Sequence, residues 1–177
     1  MPFLVLMLWF SAPTSDTLAI GFAMAIVGEM VRFWGVSYAG SETRTTGTVG
    51  GTHLVTSGPY AYVRNPLYIG NILMYLGVGI MSNALMPYLQ LVALAYFIFQ
   101  YSAIIRIEEE YLSKAFPDWK EYSAHVHRFI PGLTALRGHN DFAPNFSKAA
   151  RSERSSLIAL ASLSLLLLLV FVFKGAA

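Results

Sequence analysis

The segment GPYAYVRNPLYIG, residues 58–70, places Arg64, Asn65, Pro66 and three tyrosines directly before an apolar run. Pro66 suits the first turn of a helix, where its missing N–H is no loss. It also pushes Asn65 out of α geometry, so that Asn65 can cap that helix. Free backbone N–H groups at the helix start, together with the Arg64 charge, make a site for a carboxylate or a phosphate. The plainer reading is a juxtamembrane arginine at lipid headgroups within an interfacial tyrosine belt. A second cluster, RIEEEYL at 106–112, sets Glu108, Glu109 and Glu110 in a row near a helix end where the dipole disfavours negative charge. Successive helical residues point about 100° apart, so at least one of these carboxylates must face the interior. There it could bind an ammonium, a sulfonium-bearing ligand or ribose hydroxyls. Glu110 can instead pair with Arg106 and Lys114, each four residues away, on a solvated face.

The other polar groups carry less chemistry. Glu29 and Arg32, three apart in an apolar stretch, share a helix face and can pair locally or line a cavity. Gly77 and Gly79 form a G-x-G that follows no strand and opens no helix, which excludes a dinucleotide fingerprint and favours close helix packing. His125 and His127 would point nearly opposite ways on a helix, and only four histidines are present, so no metal site is expected. With no cysteine there is no disulfide, thiolate nucleophile or cysteine metal site. No G-x-S-x-G elbow supports a serine hydrolase.

The elements that must position these groups belong to a membrane protein. Of the 177 residues, 55% are hydrophobic and 12% charged, with a mean hydropathy of +0.53. A soluble domain carries about 25% charged residues. The net charge of +2, without a basic tract interleaved with aromatics, gives no case for nucleic acid. Residues 1–10 are apolar but too short to span and lack the marks of a signal peptide. They predict a half-membrane or interfacial helix ended by Ser11-Ala12-Pro13. Ser15 or Asp16 can cap the next helix, at about 17–38, and residues 39–57 read as a loop. Residues 67–81 are apolar, Ser82-Asn83 makes a turn, and Pro87 opens a returning helix that runs through Tyr101 and into water as far as Leu112. Eight of the twelve Lys and Arg residues fall in 106–154, which places that region in the cytoplasm. Residues 155–173 form a final span that reads as an anchor or packing helix and leaves Lys174 on the opposite side. The expected organisation is a membrane core at 1–133, a cytoplasmic linker at 134–154 and an additional helix at 155–174.

Taken together, residues 52–70, residues 106–132 and the intervening hairpin resemble the isoprenylcysteine carboxyl methyltransferase family and the related phospholipid N-methyltransferases, over about 17–133. The resemblance implies an all-α polytopic membrane bundle with a cofactor site at the cytoplasmic ends of its helices. The implied cofactor is S-adenosylmethionine. Carried over by motif, Thr52, His53, Leu54, Val55 and Tyr60 would line it, as would Asn65, Pro66, Leu67 and Tyr68. Arg106 matches a substrate-binding arginine and, with Arg64, is assigned to catalysis. Glu110 matches a cofactor-binding glutamate, and Glu109 is the neighbouring candidate. Gly77-x-Gly79 resembles a further cofactor signature more weakly.

One departure from the family is Asn65, where a histidine is usual. Asparagine keeps hydrogen bonding but exchanges no proton near neutral pH. The acceptor implied first is an isoprenylcysteine-type carboxylate, with a phospholipid or other membrane amine as the alternative. A lipophilic substrate would enter from the bilayer and the cofactor from the cytoplasm, the membrane being the inner or plasma membrane if the source is bacterial. Membrane lipids are the expected partners, without nucleic acid or metal. An NADPH-dependent membrane reductase and a non-catalytic scaffold are the readings from other classes.

Overall fold

Apolar runs punctuated by proline, serine and asparagine set the element order. The computed structural model describes residues 2–40, 53–136 and 143–175, and every regular element among them is helical. Helix α1 (Pro2–Trp9) is the short apolar helix expected there, and Ser11 Oγ donates to Leu8 O at 2.9 Å to close its end. Helix α2 (Ser15–Ala39) starts two residues earlier than the sequence pattern suggests. Thr14, rather than Ser15 or Asp16, meets its free N–H groups, with Thr17 N donating to Thr14 Oγ1 at 3.2 Å. Helices α3 (Pro66–Ser82) and α4 (Tyr88–Ala115) flank a turn in which Asn83 takes a positive φ of 50°, a conformation asparagine tolerates.

Short helix α5 (Trp119–His125) follows, and α6 (Phe146–Gly175) is the last element. The α6 helix begins nine residues ahead of residue 155. Hydropathy marks only its apolar part, whereas its polar first turns are held by specific hydrogen bonds. His125 ends α5 and His127 lies beyond it, so the two never share a helix.

Three of these helices, α2, α4 and α6, are long and apolar enough to cross a bilayer, and α3 is a shorter apolar helix. The chain is an integral membrane protein. At 28 residues, α4 is roughly 42 Å long, more than the ~30 Å hydrocarbon core requires, so its charged end extends beyond it.

The chain divides into two compact units. The first comprises Met1–Met30, Gly70–Phe99 and Arg154–Ala177. Its core holds Met7, Ala25, Val78, Met81, Leu160 and Leu167. Lipid tails are as apolar as leucine, so close van der Waals packing rather than hydrophobic exclusion must join helices here. Glycine supplies it. A Cβ on Gly28 would stand 2.7 Å from Gly70 O, and one on Gly77 would stand 2.6 Å from Ala25 N. Gly79 faces Met7 and Gln90 instead. The G-x-G pair is thus a packing device in this unit. Two hydrogen bonds made by buried polar groups add to this packing: Gln90 Nε2 donates to Gly79 O at 2.8 Å, and Ser156 Oγ donates to Glu29 Oε2 at 2.9 Å.

The second unit comprises Val31–Ile69 and Gln100–Glu153. Leu54, Trp119, Tyr122 and Val126 form a small core, with Leu112, Phe116 and Leu136 packed against it. Residues 127–136 run as a strap along residues 61–65. Arg64 N donates to His127 O at 2.9 Å, Gly132 N to Tyr62 O at 2.8 Å and Leu136 N to Ala61 O at 3.0 Å. Gly58 opens the 3₁₀ turn Gly58–Ala61 with a φ of +61°, and a Cβ there would collide with the Tyr38 ring.

Candidate active site

A cavity of about 180 Å³ lies within the second unit. One wall is the segment before α3, with His53, Leu54, Val55, Tyr60, Arg64 and Asn65. Glu108, Glu109 and Leu112 of α4 face it, Trp119 and Tyr122 of α5 close one side, and Ala39 at the end of α2 completes the lining.

Glu109 is the electrostatic centre. Its side chain is 12% exposed and lies 3.3 Å from Arg64 Nη2, while Arg128 Nε donates to it at 2.9 Å as part of a fork. Such forked, charge-assisted bonds fix a carboxylate in direction as well as in charge. Arg64 is held in turn. Its Nη1 donates to Ser123 O at 2.9 Å, and its guanidinium lies 5.6 Å from the centre of the Trp119 ring. The remaining donor, Arg64 Nε, is buried and meets no hydrogen-bond acceptor among the described residues.

Glu108 accepts a 2.7 Å hydrogen bond from the Tyr68 hydroxyl. Tyr122 Oη donates to Tyr60 O at 2.9 Å and ties α5 to the 3₁₀ turn. Burial pushes both phenols above their ordinary range. At Tyr60 the neighbouring Tyr122 and Glu108 add to that effect and the Arg32 charge works against it. Both phenols stay neutral donors through the physiological range.

The cavity therefore gathers His53, Leu54, Val55, Tyr60, Arg64, Asn65 and Glu109 from the residues the sequence singled out. Pro66, Leu67 and Tyr68 begin α3 outside the lining, where Leu67 packs on Gly35 and Tyr68 reaches Glu108. Thr52 lies outside the described residues. Two of the expected residues lie apart from this lining. Arg106 is exposed and lines no part of the cavity. Glu110 is 68% exposed and pairs with Lys114 at 2.6 Å. Arg106, Glu110 and Lys114 recur every four residues and form one outward stripe, so the helical phase turns Glu108 and Glu109 inward. Asn65 is a holding group here, its Nδ2 donating to Arg128 O at 3.1 Å.

Sequence reasoning passed over Glu108 as a cavity residue, and with it Trp119, Tyr122 and Arg128. The three-residue spacing of Trp119 and Tyr122 was the available signal, since it puts two aromatics on one face of a short helix. Among the described residues, no group of three or more acidic or histidine side chains could hold a metal ion.

Helices that cross a membrane and a carboxylate-centred cavity at the charged end of one of them define a class, and comparison with known proteins agrees. The family model for phospholipid methyltransferases matches residues 17–118, more than half of the chain. The chain belongs to that family of membrane methyltransferases, to which the isoprenylcysteine carboxyl methyltransferases are related.

Among curated proteins it is similar to the cobalt-zinc-cadmium resistance protein CzcN of Cupriavidus metallidurans, 36% identical over 138 residues covering 78% of this chain and 58% of that one. It is also similar to the nickel-cobalt-cadmium resistance protein NccN of Alcaligenes xylosoxydans xylosoxydans, 31% identical over 149 residues covering 84% and 64%. The chain thus spans about three fifths of the length of these relatives. No solved structure matches it significantly.

Proposed function

We propose that the chain is an S-adenosylmethionine-dependent methyltransferase for a lipophilic acceptor, and that the cavity around Glu109 holds the cofactor. The observation that carries this reading is the sheltered Glu109, fixed by Arg64 and Arg128 beside residues 53–60, in a chain of this family.

The residues present fit such a cofactor. Glu109 and Glu108 offer carboxylates to an ammonium or to ribose hydroxyls, and the unused Arg64 Nε–H suits a carboxylate. At about 180 Å³ the cavity is smaller than the ~300–1,000 Å³ of pockets that enclose a drug-sized ligand, so it would enclose one end of the cofactor.

The sulfonium of the bound cofactor supplies an electrophilic methyl group, and what the protein adds to an in-line displacement is mainly positioning. Arg64 holds a carboxylate against Glu109, while Leu54, Leu112 and Trp119 keep that side of the cavity dry. An acceptor carboxylate arrives already ionised and needs no base. Arg64, in the cavity wall, would orient it, which supports the isoprenylcysteine-type carboxylate as first acceptor.

A second reading, a phospholipid or other membrane amine, is favoured by Glu108. This carboxylate in the cavity wall could take the proton that an ammonium acceptor must lose. The cytoplasmic face is the proposed side of the site, from the excess of Lys and Arg in 106–154.

The test is calorimetric titration of the detergent-solubilised chain with S-adenosylmethionine and with NADPH, followed by radiolabelled methyl transfer to a lipid extract. Binding of the first and release of label by mild alkali, as expected of a methyl ester, would support the carboxylate acceptor. Alkali-stable label would select the amine. Binding of NADPH alone would replace the reading with a reductase.

A further inference from the structure

The family match ends at residue 118, yet a side chain well beyond it is built into the unit that holds the cavity. Glu153, in the early turns of α6, has 0% side-chain exposure and accepts hydrogen bonds from Arg32 of α2, 3.0 Å from Nε and 2.6 Å from Nη2. Around this pair the start of α6 lies against the last turns of α2. Phe146 stacks on Phe33 with ring centres 6.1 Å apart, and Asn145 N donates to Ser37 O at 2.7 Å. Asn145 Oδ1 caps α6 by accepting from Lys148 N at 2.9 Å. The α2 helix then delivers Ala39 to the cavity wall and Tyr38 against Gly58, which opens the turn that carries Tyr60.

A buried arginine–carboxylate pair is a poor device for stability alone, because desolvating both charges offsets their attraction and an apolar pair would serve as well. What it supplies is a defined geometry, since the planar guanidinium fork fixes both distance and angle. We propose that Glu153 is a positioning residue for the cavity: through Arg32 it sets the last two turns of α2, and with them the wall formed by Ala39 and Tyr60. Helix α6 is then a working part of the site as well as a membrane span. This inference rests on the cavity being the cofactor site.

The full chain in detergent tests it. In Glu153→Gln the S-adenosylmethionine Kd should rise roughly tenfold. Backbone amides of residues 33–39 should exchange with deuterium faster, while α5 keeps wild-type protection. The charge-swapped chain Arg32→Glu with Glu153→Arg should recover part of both. Wild-type affinity and wild-type exchange at 33–39 in Glu153→Gln would overturn the proposal, and so would faster exchange in every helix alike. Should Glu153→Gln fail to fold, Arg32→Lys, which keeps the charge and loses the fork, carries the same comparison. A wild-type chain that binds no S-adenosylmethionine would end the cofactor reading, and exchange at 33–39 would then decide the clamp on its own.

Discussion

Glu109 has two guanidinium groups within reach, whereas Glu110, one position on, has a lysine and an exposed side chain. Removing the first charge leaves two arginines facing a neutral amide; removing the second changes an outward ion pair of little worth. Glu109→Gln is therefore expected to weaken S-adenosylmethionine binding about tenfold or more, the scale of hydrogen bonds to charged groups, and Glu110→Gln to change it by less than about twofold. Calorimetric titration of both variants checks this, and equal effects would reassign the cofactor carboxylate.

The sequence held most of this contrast in the four-residue recurrence of Arg106, Glu110 and Lys114. It did not hold the identity of the inward partner, because Arg128 reaches Glu109 through a strap whose path only the fold defines. Tyr122 extends the prediction to pH. Its phenol is raised by burial, so above its ordinary value of about 10 the folded chain binds more protons than the unfolded chain and loses stability as pH rises. Tyr122→Phe should cost about 1 kcal/mol near neutral pH through the lost bond to Tyr60 O, and it should flatten that alkaline decline. Melting curves collected across the alkaline range would show either slope.

Among the elements, α2 and α3 show best why glycine placement matters in lipid. Gly77→Ala would drive a Cβ to 2.6 Å from a backbone nitrogen that has nowhere to go, whereas Gly79→Ala meets the flexible end of Met7 at 3.0 Å. The first change should cost about 1–3 kcal/mol of stability, the usual range for overpacking, and the second much less. Thermal unfolding in detergent distinguishes them, and similar losses would argue against the close approach at Gly77. The order of the apolar helices and the hairpin turn were legible from hydropathy, proline and asparagine alone. The true start of α6 was not, since residues 146–154 are polar and become helical through Asn145, Phe146 and Glu153 rather than through any apolar period. Helix α5 was missed for a similar reason, being only seven residues long and fixed by the aromatic contacts of Trp119 and Tyr122.

At the scale of the molecule, the absence of cysteine gives a clean background for single-cysteine labelling. Lys120→Cys, on an exposed position of α5, should react with an impermeant maleimide in inverted membrane vesicles and stay protected in intact cells. The opposite pattern would place the site on the other face. The strap over residues 61–65 carries a consequence for biogenesis. Arg64 is made early, its carboxylate partner is made 45 residues later, and Leu136 must still emerge before its N–H can bond Ala61 O. The site is therefore assembled from both sides of an inserted hairpin and closed after that hairpin is in the bilayer. A nascent chain halted before residue 128 would contain the segments of α1 to α5 and lack both α6 and the second arginine of Glu109. Synthesis of the chain thus includes a built-in delay between entering the membrane and acquiring a finished binding site.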